Sequence, residues 1–134
     1  MKKKILLSVI VSVLLLGGSI PVLANNHTDT RWDFWLKIHQ GNSYTPPRDK
    51  TDASSAYLQL TSLSRGTGVI GWLQMYNGEE VGSPKTFVKN NNWKYVYNYA
   101  YERHGYSSVR MAIEAGGYYD VPVSAGGYWS PDSV

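Results

Sequence analysis

Beyond residue 30, apolar and polar residues alternate with a period of two in several separate runs. That is the period of a half-buried strand. From Arg31 to Gln40, Trp32, Phe34, Leu36 and Ile38 fall on one face; Arg31, Asp33, Lys37 and His39 share the other with Trp35. From Ser54 to Ser62, Ala56, Leu58 and Leu60 face one way and Tyr57, Gln59 and Thr61 the other. From Val69 to Tyr76, the set Val69, Gly71, Leu73 and Met75 holds no polar residue and predicts the core face. Ile70, Trp72, Gln74 and Tyr76 are then expected outward. Ser107 to Ala115 predicts a strand with Val109, Met111 and Ile113 inward and Arg110 and Glu114 outward. A weaker strand is predicted over Lys85 to Lys89.

The strictest alternation is aromatic. Trp93, Tyr95, Tyr97, Tyr99 and Tyr101 occupy every second position. A strand places all five rings on one face, whereas a helix scatters them. The favoured assignment is the core of a sandwich, with an exposed binding array as the alternative. Residues 93–97 predict a strand; 98–104 remain open between strand and a short helical turn, ended by Gly105.

The breaks carry turn residues. Asn77-Gly78 predicts a type I′ hairpin, which requires positive φ at both positions. Gly41 to Asp52, with Pro46-Pro47 and four charges, predicts a loop of solvated side chains. Ala115-Gly116-Gly117-Tyr118-Tyr119 recurs as Ala125-Gly126-Gly127-Tyr128-Trp129. Both predict Gly-rich turns of successive hairpins. A three-residue loop, Gly116 to Tyr118, pairs Ile113 with Val121 and keeps the apolar sets on one face. About seven short strands with such punctuation predict an all-β domain, a small antiparallel β-sandwich with a β-barrel as the alternative.

The N-terminus changes the picture of charge. Lys2, Lys3 and Lys4 precede an apolar run from Ile5 to Leu16, then Val22-Leu23-Ala24. This predicts a secretory signal peptide over 1–24, too short in its apolar part for a membrane span. A flexible segment over 25–30 and a single β domain over 31–134 follow. The leader holds three of the 13 Lys+Arg and none of the 10 Asp+Glu, so the remaining chain is formally neutral. Nucleic acid therefore loses its electrostatic support as a partner. The absence of cysteine excludes disulfides, zinc thiolates and a cysteine nucleophile.

Candidate chemistry is sparse. There is no Gly-x-Ser-x-Gly elbow and no phosphate-cradling glycine loop. His27, His39 and His104 are far apart in sequence. Glu79 and Glu80, adjacent on a strand, point to opposite faces and cannot flank one sugar bond. No catalytic residue, metal site or cofactor is assigned, and the chain is expected not to be an enzyme. Exposed aromatic rings are the remaining candidates. Trp35 and Trp72 each oppose the cleaner apolar set of their strand, and with Tyr76 they form the predicted ligand-binding set, suited to stacking on sugars.

Asn26-His27-Thr28-Asp29-Thr30, Tyr44-Thr45, Arg48-Asp49-Lys50, Ser55-Ala56-Tyr57, Asn98 to Tyr106 and the closing Trp129-Ser130-Pro131-Asp132-Ser133 resemble a domain-of-unknown-function family of small secreted bacterial proteins. In size, aromatic richness, leader and absent cysteine the chain is also loosely similar to lactococcin-972-type bacteriocins. The leader, the neutral charge of the remaining chain and the aromatic excess predict a secreted, non-enzymatic β protein acting at the bacterial cell surface, bacteriocin-like or bound to an envelope component. The alternative is a carbohydrate- or peptidoglycan-binding module that meets a surface glycan through exposed aromatic rings. The resemblance itself implies export and a β domain. It implies no catalytic residues and leaves the oligomeric state open.

Overall fold

The computed structural model describes residues 26–133. The signal-peptide assignment lies outside them. Nine strands are formed among the described residues: β1 (Thr30–Leu36), β2 (Ser43–Tyr44), β3 (Arg48–Lys50), β4 (Ala56–Leu63), β5 (Gly68–Met75), β6 (Thr86–Lys89), β7 (Asn92–Val96), β8 (Ser107–Ala115) and β9 (Val123–Ser130). One short helix, α1 (Ala100–His104), resolves the open segment before Gly105. The strands make two antiparallel sheets. One has the order β1-β9-β4-β7; the other has β2-β8-β5-β6, with β3 also on β8. The sheets stay separate, so the fold is a sandwich and not a closed barrel.

The inner faces follow the alternation. Trp32, Leu36, Leu58, Leu60, Val123 and Trp129 from the first sheet meet Val69, Leu73, Val88, Val109, Met111 and Ile113 from the second. Each strand presents every second residue to this layer, as a two-sheet core demands.

Several connections differ from those predicted. The first strand stops at Leu36, because His39 and Gln40 take positive φ in a 3-10 turn and leave the extended path. Residues 41–52 carry β2 and β3, both paired to β8, rather than a free loop. Residues 116–122 do not close a hairpin. β8 belongs to one sheet and β9 to the other, so this segment crosses between layers, and Val121 is exposed instead of facing Ile113. The second Gly-Gly pair, Gly126-Gly127, is not a turn but the middle of β9.

Gly127 is needed there for space. A Cβ on it would run into the Gln59 carbonyl of the neighbouring β4. Its partner on β1 is Trp32, whose indole Nε1 donates to that same Gln59 carbonyl at 3.2 Å. The ring thus spans the bare backbone of β9, one aromatic covering one glycine in a sheet.

The Asn77-Gly78 hairpin forms with a different turn. Positive φ within it is confined to Gly78, at +95°. Gly78 N–H donates to the Met75 carbonyl at 2.9 Å, and Met75 N–H to the Glu79 carbonyl at 3.0 Å. This is a three-residue loop, a type I turn followed by a glycine bulge. Asn77 Oδ1 accepts from Glu79 N–H at 2.9 Å, so the asparagine serves by its side chain and not by a left-handed backbone.

Candidate functional site

The predicted trio does not come together. Trp35 is exposed on the outer face of β1. Trp72 lies on β5, in the opposite sheet, so the whole core separates the two rings. Nor is Trp72 exposed; only 3% of its surface is open. Lys85 Nζ sits 4.6 Å above its ring and 3.4 Å from Glu114, laying its aliphatic stem over the indole. Tyr76 is exposed at the Asn77-Gly78 turn, on the second sheet's side.

A different aromatic group does assemble. The Trp93 to Tyr101 rings are exposed, not in the core. β7 is an edge strand whose Val96 faces inward, which turns Trp93 and Tyr95 outward. Across the sheet, Tyr95 pairs with Tyr57, which pairs with Ser130. In the next row, Trp93 pairs with Gln59, then Tyr128, then Arg31. Register therefore places Trp93, Tyr95, Tyr57 and Tyr128 on one outer face. Trp93 meets Tyr95 edge-on with centroids 5.1 Å apart, and meets Tyr57 at 5.5 Å with planes tilted by 34°. Trp35, on the same face, is four positions along β1 from Arg31, roughly 13 Å away. It lies at the far corner from the cluster.

At the end of this face is a cleft of about 210 Å3 lined by His27, Asp29, Tyr57, Tyr95, Ser130 and Ser133. Burial, then the charge of Asp29 and the neighbouring Tyr95, push the Tyr57 phenol above its usual range, keeping it a hydrogen-bond donor. The cleft is smaller than pockets for drug-sized molecules, about 300–1,000 Å3. It combines ring faces with hydroxyl and carboxylate groups, which together match the apolar face and the hydroxyls of one sugar ring.

The walls of the cleft are fastened below. Lys50, expected in a solvated loop, is fully buried, because β3 turns it under the chain end. Its Nζ contacts Asp132 Oδ1 at 2.6 Å and donates to the Pro131 carbonyl at 2.9 Å. Asp132 Oδ2 accepts from Thr51 N–H, Thr51 Oγ1 and Asn26 N–H. Burial pushes the Asp132 carboxyl up, but the bonds from Lys50 and Thr51 outweigh it and hold the group below its usual range. Arg48 reaches Asn26 Oδ1 at 2.6 Å and the Trp129 carbonyl at 3.2 Å. The segment expected to fray is thus tied down at Asn26. Sequence reasoning missed this hub because Lys50 and Asp132 are 82 residues apart and no local pattern joins them.

No group of three His, Asp or Glu among the described residues is placed to hold a metal ion. No helix among them is long and apolar enough to cross a membrane.

An all-β sandwich with one aromatic outer sheet face is the class of protein these features define. Residues 20–133 match the family model described as "Protein of unknown function (DUF2712)", and the chain belongs to that family. No curated protein and no solved structure matches the chain. The family bears out the resemblance to proteins without assigned function; the likeness to bacteriocins gains no support from it.

Proposed function

We propose that this protein is a secreted, non-enzymatic module that binds glycan at the bacterial cell surface. The observation that carries this reading is the contiguous outward group Trp93, Tyr95, Tyr57 and Tyr128, ending in the polar cleft of Asp29 and His27. Large rings held on a rigid sheet lose little entropy on binding, which suits them to stacking on sugar faces. The leader in the sequence and the neutral charge of the rest fit an exported protein that meets an uncharged polymer. A bacteriocin-like action on the cell wall would use the same face, since it too begins with binding an envelope component.

Of the five tryptophans, Trp32, Trp72 and Trp129 are buried, and Trp35 and Trp93 are exposed. Peptidoglycan fragments or neutral oligosaccharides should therefore quench the fluorescence of a Trp35→Phe variant. Trp93→Ala should lose that quench and weaken binding at least tenfold, about 1.4 kcal/mol. A broad glycan panel with no response overturns the reading. Growth inhibition of related bacteria, lost in the same variant, would add the bacteriocin-like role; binding without inhibition would remove it. N-terminal sequencing of exported protein should begin at Asn25, and an intact Met1 would refute cleavage.

A further inference from the structure

Lys50 and Asp132 are buried reactive groups that the aromatic face does not use. Both side chains have no exposed surface, and Lys50 Nζ is 2.6 Å from Asp132 Oδ1. A second carboxylate, Asp52, lies 4.0 Å from the same Nζ. The two oxygens of Asp132 have different surroundings. Oδ1 faces the amine. Oδ2 accepts from Thr51 Oγ1 at 2.7 Å, Asn26 N–H at 2.9 Å and Thr51 N–H at 3.1 Å.

We propose that Lys50 and Asp132 join autocatalytically in an intramolecular isopeptide bond. A proton first passes from Nζ to Oδ1 along their hydrogen bond, giving a neutral amine and a neutral acid with no change in net charge. The amine lone pair then attacks Cγ. The electrons of the Cγ–Oδ2 double bond move onto Oδ2, where the three donors stabilise the developing charge. Asp52 takes a proton from the nitrogen and passes it to Oδ1. As the Cγ–Oδ2 double bond re-forms, the Cγ–Oδ1 bond breaks and one water leaves. Nothing is oxidised or reduced. The amide keeps one N–H, next to the Pro131 carbonyl that the amine already contacts.

Three features favour this course. A fully buried ion pair has lost its hydration, which narrows the gap between its charged and neutral forms. The reacting groups are fixed together, and well-oriented pairs reach effective molarities of about 10^5–10^8 M, which lowers the barrier to condensation. The bond also supplies what the sequence lacks. With no cysteine available, it would tie β3 to the segment after β9 and restrict the unfolded chain as a disulfide does. The bonds to Oδ2 favour the carboxylate, so they oppose the first proton transfer, from Nζ to Oδ1, while they help the attack that follows. This cross-link is independent of the glycan surface and stands or falls separately.

The test is the denatured mass of the purified protein, its N-terminus fixed by sequencing. The expected mass is lower than the sequence requires by one water molecule. Proteolysis should yield a branched peptide joining Lys50 to Asp132, with trypsin unable to cut after Lys50. Lys50→Met should restore the full mass, and Asp52→Ala should lower the linked fraction severalfold. A wild-type mass equal to that of the sequence overturns the proposal and leaves an ion pair. A deficit that survives Lys50→Met also overturns it. Complete linkage in Asp52→Ala removes the proton-transfer role from Asp52.

Discussion

Gly78 sits at φ +95°, a region L side chains enter only at a cost, and a Cβ there would meet Arg110 Nη2 at 3.3 Å. Arg110 cannot easily yield, since Nε and Nη2 both donate to Gln74 Oε1 and its guanidinium stacks 3.7 Å from the Tyr44 ring. Gly78→Val should lower the melting temperature by roughly 4–8 °C for each kcal/mol of strain. A thermal melt that matches wild type would show that the turn relaxes without penalty. Tyr57 gives a second test at this scale. Its phenol is pushed up by burial first and by Asp29 and Tyr95 next. The fold therefore favours the neutral form, whose contribution is intact below the ordinary tyrosine value near 10 and is lost as pH rises through the higher folded value. Glycan binding through the Tyr57 hydroxyl should hold across neutral and mildly alkaline pH and fall only above about pH 10. A fall already near neutrality would exclude that hydrogen bond.

Individual strands were legible because alternation reports which residues share a face. Leu58 and Leu60 on β4, and Met111 and Ile113 on β8, lie inside as the pattern requires. Alternation does not report which face meets the core, nor which strands pair. The Trp93 and Tyr95 rings share a face, but β7 is an edge strand anchored by Val96, and that face is the outer one. Trp72 failed in the opposite sense, since Lys85, thirteen residues away in sequence, covers it. Gly-Gly pairs read alike in sequence, yet one lies in a crossover and one in a central strand, where close approach to β4 decides. This yields a prediction for β9. Gly127→Ala places a methyl group against the Gln59 carbonyl and under the Trp32 ring. It should destabilise the domain by about 1–3 kcal/mol, the usual cost of overpacking. Chemical denaturation measures it, and an unchanged midpoint would mean that β4 and β9 separate freely.

For the molecule as a whole, the question is what closes the end of the sandwich where the chain finishes. Trp129 is 99% covered, and Asp132 is fully buried three residues later. Ser130 Oγ donates to the Asp132 carbonyl at 2.7 Å and Ser133 N–H to Ser54 Oγ at 3.0 Å, so the segment folds back on itself and onto the 50–54 turn. Asn26, Arg48, Lys50 and Thr51 all converge there. The last residues thus join the start of the described chain, the β3 segment and the core in one hub. The same hub supports the Ser130, Ser133 and Asp29 side of the cleft. Removal of residues 129–134 would open the core at a tryptophan site and leave Lys50 without its partner. Either loss alone costs on the order of 3–5 kcal/mol. The truncated protein should therefore fall by more than ~2 kcal/mol in denaturant unfolding, even if the chain partly collapses over the gap. It should lose glycan binding with it, because stacking on Trp93 needs an ordered β4 and β7. A truncated protein that melts normally but no longer binds would instead make Trp129 to Val134 part of the recognition surface, and the structural role assigned to Trp129 and Asp132 would be wrong.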